Sequence, residues 1–394
     1  MSTPKPTFTE IAARDRLIRG WAHLSPQQPE RHGPLEGVTV GVKDVIDVAG
    51  MPTTHGSPVF RDNIASYDAE AVRRLRAAGA VILGKTVTAE FAAYSPGPTV
   101  NPRDPARTPG GSSSGSAAVI ADGQADLALG TQTAGSIIRP ASYCGVLGFK
   151  PSFGRYPLEG VLTTAPSLDT LGLFARSLDL LIAADAVLSD EAALPPAAKH
   201  PVIGLCRSPA WPLAEENMRQ ALFNFADRLR MAGFTVIEHE LPAAIGGVAE
   251  AQKLIHRREA WIEFGKVRQE YPDLVSDVFR DFIDAGAADT PEAYRAALAL
   301  QRDCVALLPQ LFSSVDLLLV PAAIGVAPLG LGATGDPAFQ RIWTALGVPC
   351  LAFPARWTNG GLPLGLQLIG LRGDDRQLLA NAATILAQTS LAEA

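Results

Sequence analysis

The chain has 394 residues, 47% of them hydrophobic and 19% charged, with a formal net charge of −6. That size and balance predict a globular, soluble protein with an extensive core, and they exclude a general nucleic-acid binder, which needs clustered Lys and Arg to follow phosphates. Cys144, Cys206, Cys304 and Cys350 stand far apart and the six histidines are scattered, so neither a disulfide framework nor a metal site is expected.

Glu10, Arg14, Asp15, Arg16 and Arg19 interrupt the N-terminal stretch; it lacks the apolar centre of a signal peptide, and the expected location is cytoplasmic. Ile11, Ala12, Leu17, Ile18 and Trp21 recur at helical spacing and predict an amphipathic helix over 9–24, followed by a proline-bearing linker over 26–34. From Val38 the pattern alternates. Val38, Val40 and Val42 share one face of a strand, and Thr39, Gly41 and Lys43 share the other. A lysine among such small neighbours has space for a partner. Residues 68–78 predict a helix, capped near Ser66 or Asp68 and stopped by Gly79 before a strand over 80–83. This strand, helix, strand rhythm belongs to a sheet with covered faces.

A loop over 101–109 rich in Pro and Arg delivers the chain to a Gly/Ser loop at Gly110. Next come a small-residue helix, an apolar strand over 126–129 and a turn over 131–136. Ser136 therefore stands where a strand hands over to a new segment, a place that exposes a side chain while the sheet holds it still. Beyond it the pattern predicts a helix over 177–187, a polar, proline-rich boundary over 191–201, a strand over 202–206, a helix over 215–232 and a strand over 235–238. Residues 246–311 read as mostly helical, and Trp261, Phe264, Tyr271, Phe279 and Phe282 there either line a pocket or pack helix on helix. The uncharged run over 317–335 is broken by Pro321, Pro328 and several glycines, so it reads as buried strand plus loop and not as a membrane span.

Taken alone, GGSSSGS is more often a flexible linker or turn. Its Gly110 to Gly115 spacing imitates a phosphate loop, but Ser116 stands where the lysine is required. Cys144 reads as a core thiol, because no paired histidine accompanies it. The segments Gly110-Gly111-Ser112-Ser113, Gly130-Thr131-Gln132-Thr133-Ala134-Gly135-Ser136-Ile137 and Cys144-Gly145-Val146-Leu147-Gly148-Phe149-Lys150-Pro151, with Lys43 upstream on its strand, together resemble the amidase signature family of serine hydrolases. Residues 316–321, 343–349 and 361–370 are similar to that family's closing strands. The resemblance covers about 35–385 except the variable middle. It implies one α/β/α domain over 1–394, a large mixed β-sheet covered by helices on both faces. Within it, 35–175 would be the signature core, 190–311 a substrate-shaping region, and 312–385 the closing strands and helix.

The resemblance further implies that Ser136 is the nucleophile, Ser112 a bridging serine on a cis peptide bond after Gly111, and Lys43 the base at the far end of the relay. The backbone N–H groups of Thr133, Ala134, Gly135 and Ser136 would form the oxyanion hole, with no metal or cofactor. The residues fit that chemistry. Serine needs a base; no histidine lies in the signature segments, where the nearest is His55. Lysine serves only when neutral. Its ordinary pKa, about 10.4, forbids that in water, and burial on an apolar strand lowers it.

The chain also departs from the family. Gln132 replaces a common Asp, Ala134 a glycine, Ile138 an arginine and Val45 an asparagine. Gln132 removes a charge that would recognise a substrate amine. Arg139, three positions after Ser136, is within reach of the substrate's far end, where a guanidinium either clamps a carboxylate or pairs with a structural acid. Gln132 and Arg139 are accordingly the candidate substrate-binding residues. The expected activity is hydrolysis of the carbon–nitrogen bond of a small linear amide through an acyl-serine intermediate. The alternatives are an esterase or carbamate hydrolase with the same apparatus, and a non-catalytic amidotransferase-like subunit. The expected partners are the amide substrate and, in a homodimer, a second copy of the chain; nucleic acid and membrane are not.

Overall fold

Strands such as Leu317–Pro321 and Pro363–Ile369 are buried at every position, and strands of that kind need cover on both faces. The computed structural model, which describes residues 5–29, 31–191, 194–198 and 200–389, provides it. Eleven strands form one mixed sheet: β1 Trp21–Gln27, β2 Thr39–Lys43, β3 Val81–Thr86, β4 Leu127–Gln132, β5 Leu147–Lys150, β6 Thr170–Ala175, β7 Ile203–Cys206, β8 Val236–His239, β9 Leu317–Pro321, β10 Cys350–Trp357 and β11 Pro363–Ile369. Their spatial order is β1-β3-β2-β4-β6-β5-β10-β11-β9-β7-β8. β2 lies parallel to both β3 and β4, as β7 does to β8 and β9, while β4 to β11 through β6, β5 and β10 is antiparallel. The closing strands thus rejoin the sheet that the N-terminal strands begin.

The helices are α1 Phe8–Ile18, α2 Glu70–Ala77, α3 Ser114–Ala121, α4 Ile138–Cys144, α5 Leu178–Ser189, α6 Glu216–Met231, α7 Val248–Glu270, α8 Asp277–Ala288, α9 Pro291–Ala306, α10 Leu308–Leu311, α11 Arg341–Ala345 and α12 Asp375–Gln388. Alternation along the strands divides the core in two. Val40 and Val42 of β2, with Leu127 and Leu129 of β4, pack with Leu75, Leu181, Leu222 and Leu379 from α2, α5, α6 and α12. On the opposite face Ala128, Leu318 and Ala352 pack with Val119, Ala141, Ile255 and Trp343 from α3, α4, α7 and α11. The aromatic residues of the helical middle take the packing role: Phe264 and Phe279 stack around Phe91 in a third cluster, and Tyr271 is exposed.

Three local expectations are corrected. The first helix stops at Ile18, and Trp21–Gln27 is an edge strand antiparallel to β3 instead of the helix end and linker. Asp15 Oδ1 accepts from the N–H groups of Gly20 and Trp21 at 2.7 and 3.3 Å, which ends the helix and turns Trp21 onto the sheet. Residues 343–349 are the end of α11 and a turn, with the strand starting at Cys350. The cap of α2 is Ala69 without a side-chain bond; Asp68 instead accepts from Ala49 N–H and pairs with Arg76. Glu30 of the expected linker, Ala192, Ala193 and Lys199 of the expected boundary over 191–201, and residues 1–4 and 390–394 of the domain lie outside the described residues.

Candidate active site

Because β2 and β4 run parallel and adjacent, their C-terminal ends meet at one edge, and Lys43 closes the first while Gln132 closes the second. Lys43 is fully buried. Its Nζ lies 2.7 Å from Ser112 Oγ and 2.7 Å from Thr131 Oγ1. Burial lowers its pKa to about 7, against an opposing pull from the Asp169 charge. The serine loop reaches it because small residues let α3 settle on β4. Ser113 Oγ donates to Thr131 O, Ser116 Oγ donates to Leu129 O, and a Cβ on Gly130 would stand 2.9 Å from Ser113 Oγ. The Gly111–Ser112 peptide is cis, as the resemblance implies.

Two further buried lysines, which the sequence does not single out, show what sets Lys43 apart. Lys85 Nζ pairs with Asp44 at 2.9 Å and donates to Thr53 Oγ1 and Pro52 O. Lys150 donates to the carbonyls of Pro151 and Val348. Lys43 alone of the three meets only hydroxyls, which accept from an amine and donate to one equally well.

The turn after β4 is held by its carbonyls. Gln252 Nε2 of α7 donates to Thr133 O at 2.9 Å, and Thr344 Oγ1 of α11 donates to Ala134 O at 2.8 Å. Gly135 O accepts from Arg139 N–H in the first turn of α4. In a trans peptide the C=O and the next N–H point to opposite sides, so these bonds turn the N–H groups of Ala134, Gly135 and Ser136 the other way. Among the described residues none of those three N–H groups is taken by another part of the chain. Ala134 keeps an ordinary negative φ, so its replacement of glycine brings no strain. Thr133 Oγ1 donates to Asp169, whose second oxygen accepts from Thr164 and Ala165 N–H; burial nevertheless raises this carboxyl to about 6. Ser136 is 8% exposed at the head of α4, and its hydroxyl makes no hydrogen bond among the described residues. The structure joins Lys43 directly to Ser112, and leaves Ser136 Oγ free.

The Gln132 side chain is buried and turned into the protein. Its Oε1 accepts from Ile137 and Ile138 N–H at 2.9 and 3.0 Å, and its Nε2 donates to Thr344 Oγ1. An uncharged amide satisfies both demands at once, where a carboxylate would lack the donor. Arg139 is buried; Nη2 donates to Gly111 O and Thr334 Oγ1, while Nε and Nη1 have no partner among the described residues. Thr131, Asp169, Gln252 and Thr344 escape a reading of the sequence: the last three come from distant segments, and only Thr131, at the start of the turn, carries a local signal. His55, held near pKa 4 by burial, and Cys144, whose buried thiol is pushed up to about 12, do not compete as base or nucleophile. No group of His, Cys, Asp and Glu among the described residues could hold a metal, and no helix there is long and apolar enough to cross a membrane.

A strand-borne buried lysine, a cis-serine loop and a turn with free N–H groups on one mixed sheet are features of amide-bond chemistry built on serine. The chain belongs to the amidase signature family, whose family model, described as Amidase, matches residues 19–379. It is 34% identical to a glutamyl-tRNA(Gln) amidotransferase subunit from Nitratidesulfovibrio vulgaris over 91% of this chain and 84% of that one. It is 35% identical to the corresponding subunit from Thermus thermophilus over 89% and 84%. Among solved structures, a crystal structure of an amidase superposes with a TM-score of 0.87 at 33% identity, covering 96% of this chain and 94% of the other. A structure described as a vestigial protein complex that reveals the origins of an s-triazine catabolic enzyme gives 0.85 at 28%, covering 96% and 93%.

Proposed function

We propose that this protein hydrolyses the carbon–nitrogen bond of a small linear amide bearing a carboxylate at its acyl end. The observation that carries the proposal is the Lys43 amine, buried with no carboxylate paired to it among the described residues and 2.7 Å from Ser112 Oγ. Neutral Lys43 takes the proton of Ser112, which takes that of Ser136 as its oxygen bonds to the amide carbon. The oxyanion so formed lies against the N–H groups of the turn over 133–136, donors of the kind whose single loss typically costs about 100-fold in rate. Collapse breaks the carbon–nitrogen bond, the relayed proton leaves on the amine, and water repeats the sequence to free Ser136. Arg139 supports the anionic acyl end. It is a buried guanidinium with two free nitrogens and no ion pair among the described residues, and such a charge is costly until an anion completes it. Four buried free thiols suit a reducing, cytoplasmic setting.

The amidotransferase relatives favour a second reading, release of ammonia from glutamine within an assembly. Gln132 speaks against it, since it offers a substrate ammonium neither charge nor a spare acceptor. The test is a matched panel of amides, esters and carbamates with and without a terminal carboxylate, together with fluorophosphonate labelling and peptide mass spectrometry. Turnover of acid monoamides and an adduct on Ser136 are expected. Ester turnover without amide turnover, or no adduct on Ser136, would overturn the reading.

A further inference from the structure

Gln252 belongs to α7, in the helical middle that carries none of the signature motifs, yet it is fully buried against the signature turn. Its amide is used at both ends: Nε2 donates to Thr133 O at 2.9 Å and Oε1 accepts from Arg341 Nη1 at 2.9 Å. Arg341 in turn lies near Arg139, whose guanidinium it disfavours by like charge. One side chain therefore spans the distance from the turn over 133–136 to the basic end of the site.

We infer that Gln252 is a positioning residue for the oxyanion hole, so that the variable middle third completes the catalytic geometry as well as shaping the cleft. The inference rests on the function proposed above. Peptide orientation is what Gln252 controls. The plane joining Thr133 to Ala134 can present either its C=O or its N–H to the reacting carbonyl, and an acceptor there would repel the oxyanion that a donor stabilises. The Gln252 amide holds the C=O on the far side, and Arg341 fixes which end of that amide faces Thr133, because a guanidinium only donates. The neighbouring peptide is fixed independently by Thr344 Oγ1 on Ala134 O, so losing Gln252 disturbs one donor and leaves the turn otherwise tied down.

Two variants separate positioning from bulk structure. Gln252→Leu removes both bonds at similar volume. Gln252→Glu keeps a partner for Arg341 but, when ionised, has no donor for Thr133 O. Each is compared with the native protein for kcat, KM, the pH profile, melting temperature and inhibition by a substrate-like boronic acid, whose serine adduct places an oxygen in the oxyanion hole. Both variants are expected to lose about 10- to 100-fold in kcat and to weaken boronate binding by a similar factor, with KM within about twofold of native and the acid limb unmoved. Gln252→Glu keeps the nearer-native melting temperature. If both variants hold kcat and boronate affinity within about twofold, the inference is wrong although amide hydrolysis stands. The same holds if kcat, KM and melting temperature fall together while boronate affinity is kept. A native protein that turns over no amide and binds no boronate would remove the function itself.

Discussion

Lys43 Nζ and Ser112 Oγ lie 2.7 Å apart in a fully buried setting, and the amine's other neighbour is the Thr131 hydroxyl. That pairing supplies what a lysine base needs: lost hydration to favour the neutral amine, and a hydroxyl to take the proton from. The adjacent strand supplies the contrast, because Lys85 is just as deeply buried but holds Asp44 at 2.9 Å. Burial alone does not make a base. What Lys43 adds is contact with hydroxyls alone, with neither the paired carboxylate of Lys85 nor the carbonyl acceptors of Lys150.

The first prediction concerns pH. Only neutral Lys43 accepts a proton, and its pKa is about 7, so kcat/KM rises with pH through about 7 and falls by about tenfold for each unit below it. Lys43→Arg keeps the length and charge but cannot become neutral, and is expected to lose at least about 1,000-fold. A pH–rate profile with an acid limb below about 5, or an active Arg variant, would contradict the lysine base.

Asp169 gives the second prediction. Its charge raises the Lys43 pKa, so Asp169→Asn should move the acid limb to lower pH. The Asn oxygen takes the N–H groups of Thr164 and Ala165 and its NH2 faces the Thr133 hydroxyl, which then accepts, so the network keeps its partners and loses only the charge that strengthened it, a modest loss of stability. A pH profile and a melting curve on the same sample read both effects, and an acid limb that moves upward would be the wrong sign.

How much of this is legible in the chain depends on the range of the contacts. Lys43, Ser112 and Ser136 each sit inside a local pattern, an alternating strand, a Gly/Ser loop and a strand-to-turn handover, so the segments can be read one at a time. The sheet follows from the same alternation, since Val40 and Val42 must face a core that Gly41 and Lys43 do not. The misreadings are of another kind. Trp21 falls at helical spacing from Ile18 but is drawn into a strand by Asp15. Gln132 stands out in the sequence for replacing a common Asp, but its contacts with Ile137, Ile138 and Thr344, which brace the turn, cannot be read from it. Gln252 and Thr344 reach the turn across 119 and 210 positions of chain; nothing near Gln252 marks it, and the 343–349 segment that holds Thr344 reads as a strand and not as a partner of the turn.

Arg139 gives the third prediction. If the free Nε–H or Nη1–H of Arg139 meets a carboxylate, Arg139→Met should cost acid monoamides about 10- to 100-fold in kcat/KM and matched neutral amides far less, because a hydrogen bond between charged groups is worth about 1.5–3 kcal/mol. The loop contact of Nη2 with Gly111 O is lost for both substrates alike, so the ratio isolates the clamp. Equal losses for charged and neutral substrates would assign Arg139 to holding the Gly111–Ser112 loop alone.

The two neighbouring lysines should also separate in stability. Lys85→Met strands the buried Asp44 carboxylate, and breaking such a pair costs about 3–5 kcal/mol, which a denaturant titration at neutral pH reads directly. Lys43→Met strands no charge. The folded Lys43 pKa is about 7 against an ordinary 10.5, so below 10.5 the unfolded chain holds a proton that the native protein binds poorly, and Lys43 opposes folding there. Its penalty shrinks as pH rises through that window, since the unfolded chain then carries less of the proton that folding must shed. Lys43→Met should therefore be inactive yet at least as stable as the native protein near neutral pH, with the advantage declining as pH approaches 10.5. A Lys43→Met protein that unfolds as readily as Lys85→Met would mean that the amine is charged and paired in the fold, and the neutral base would have to be abandoned.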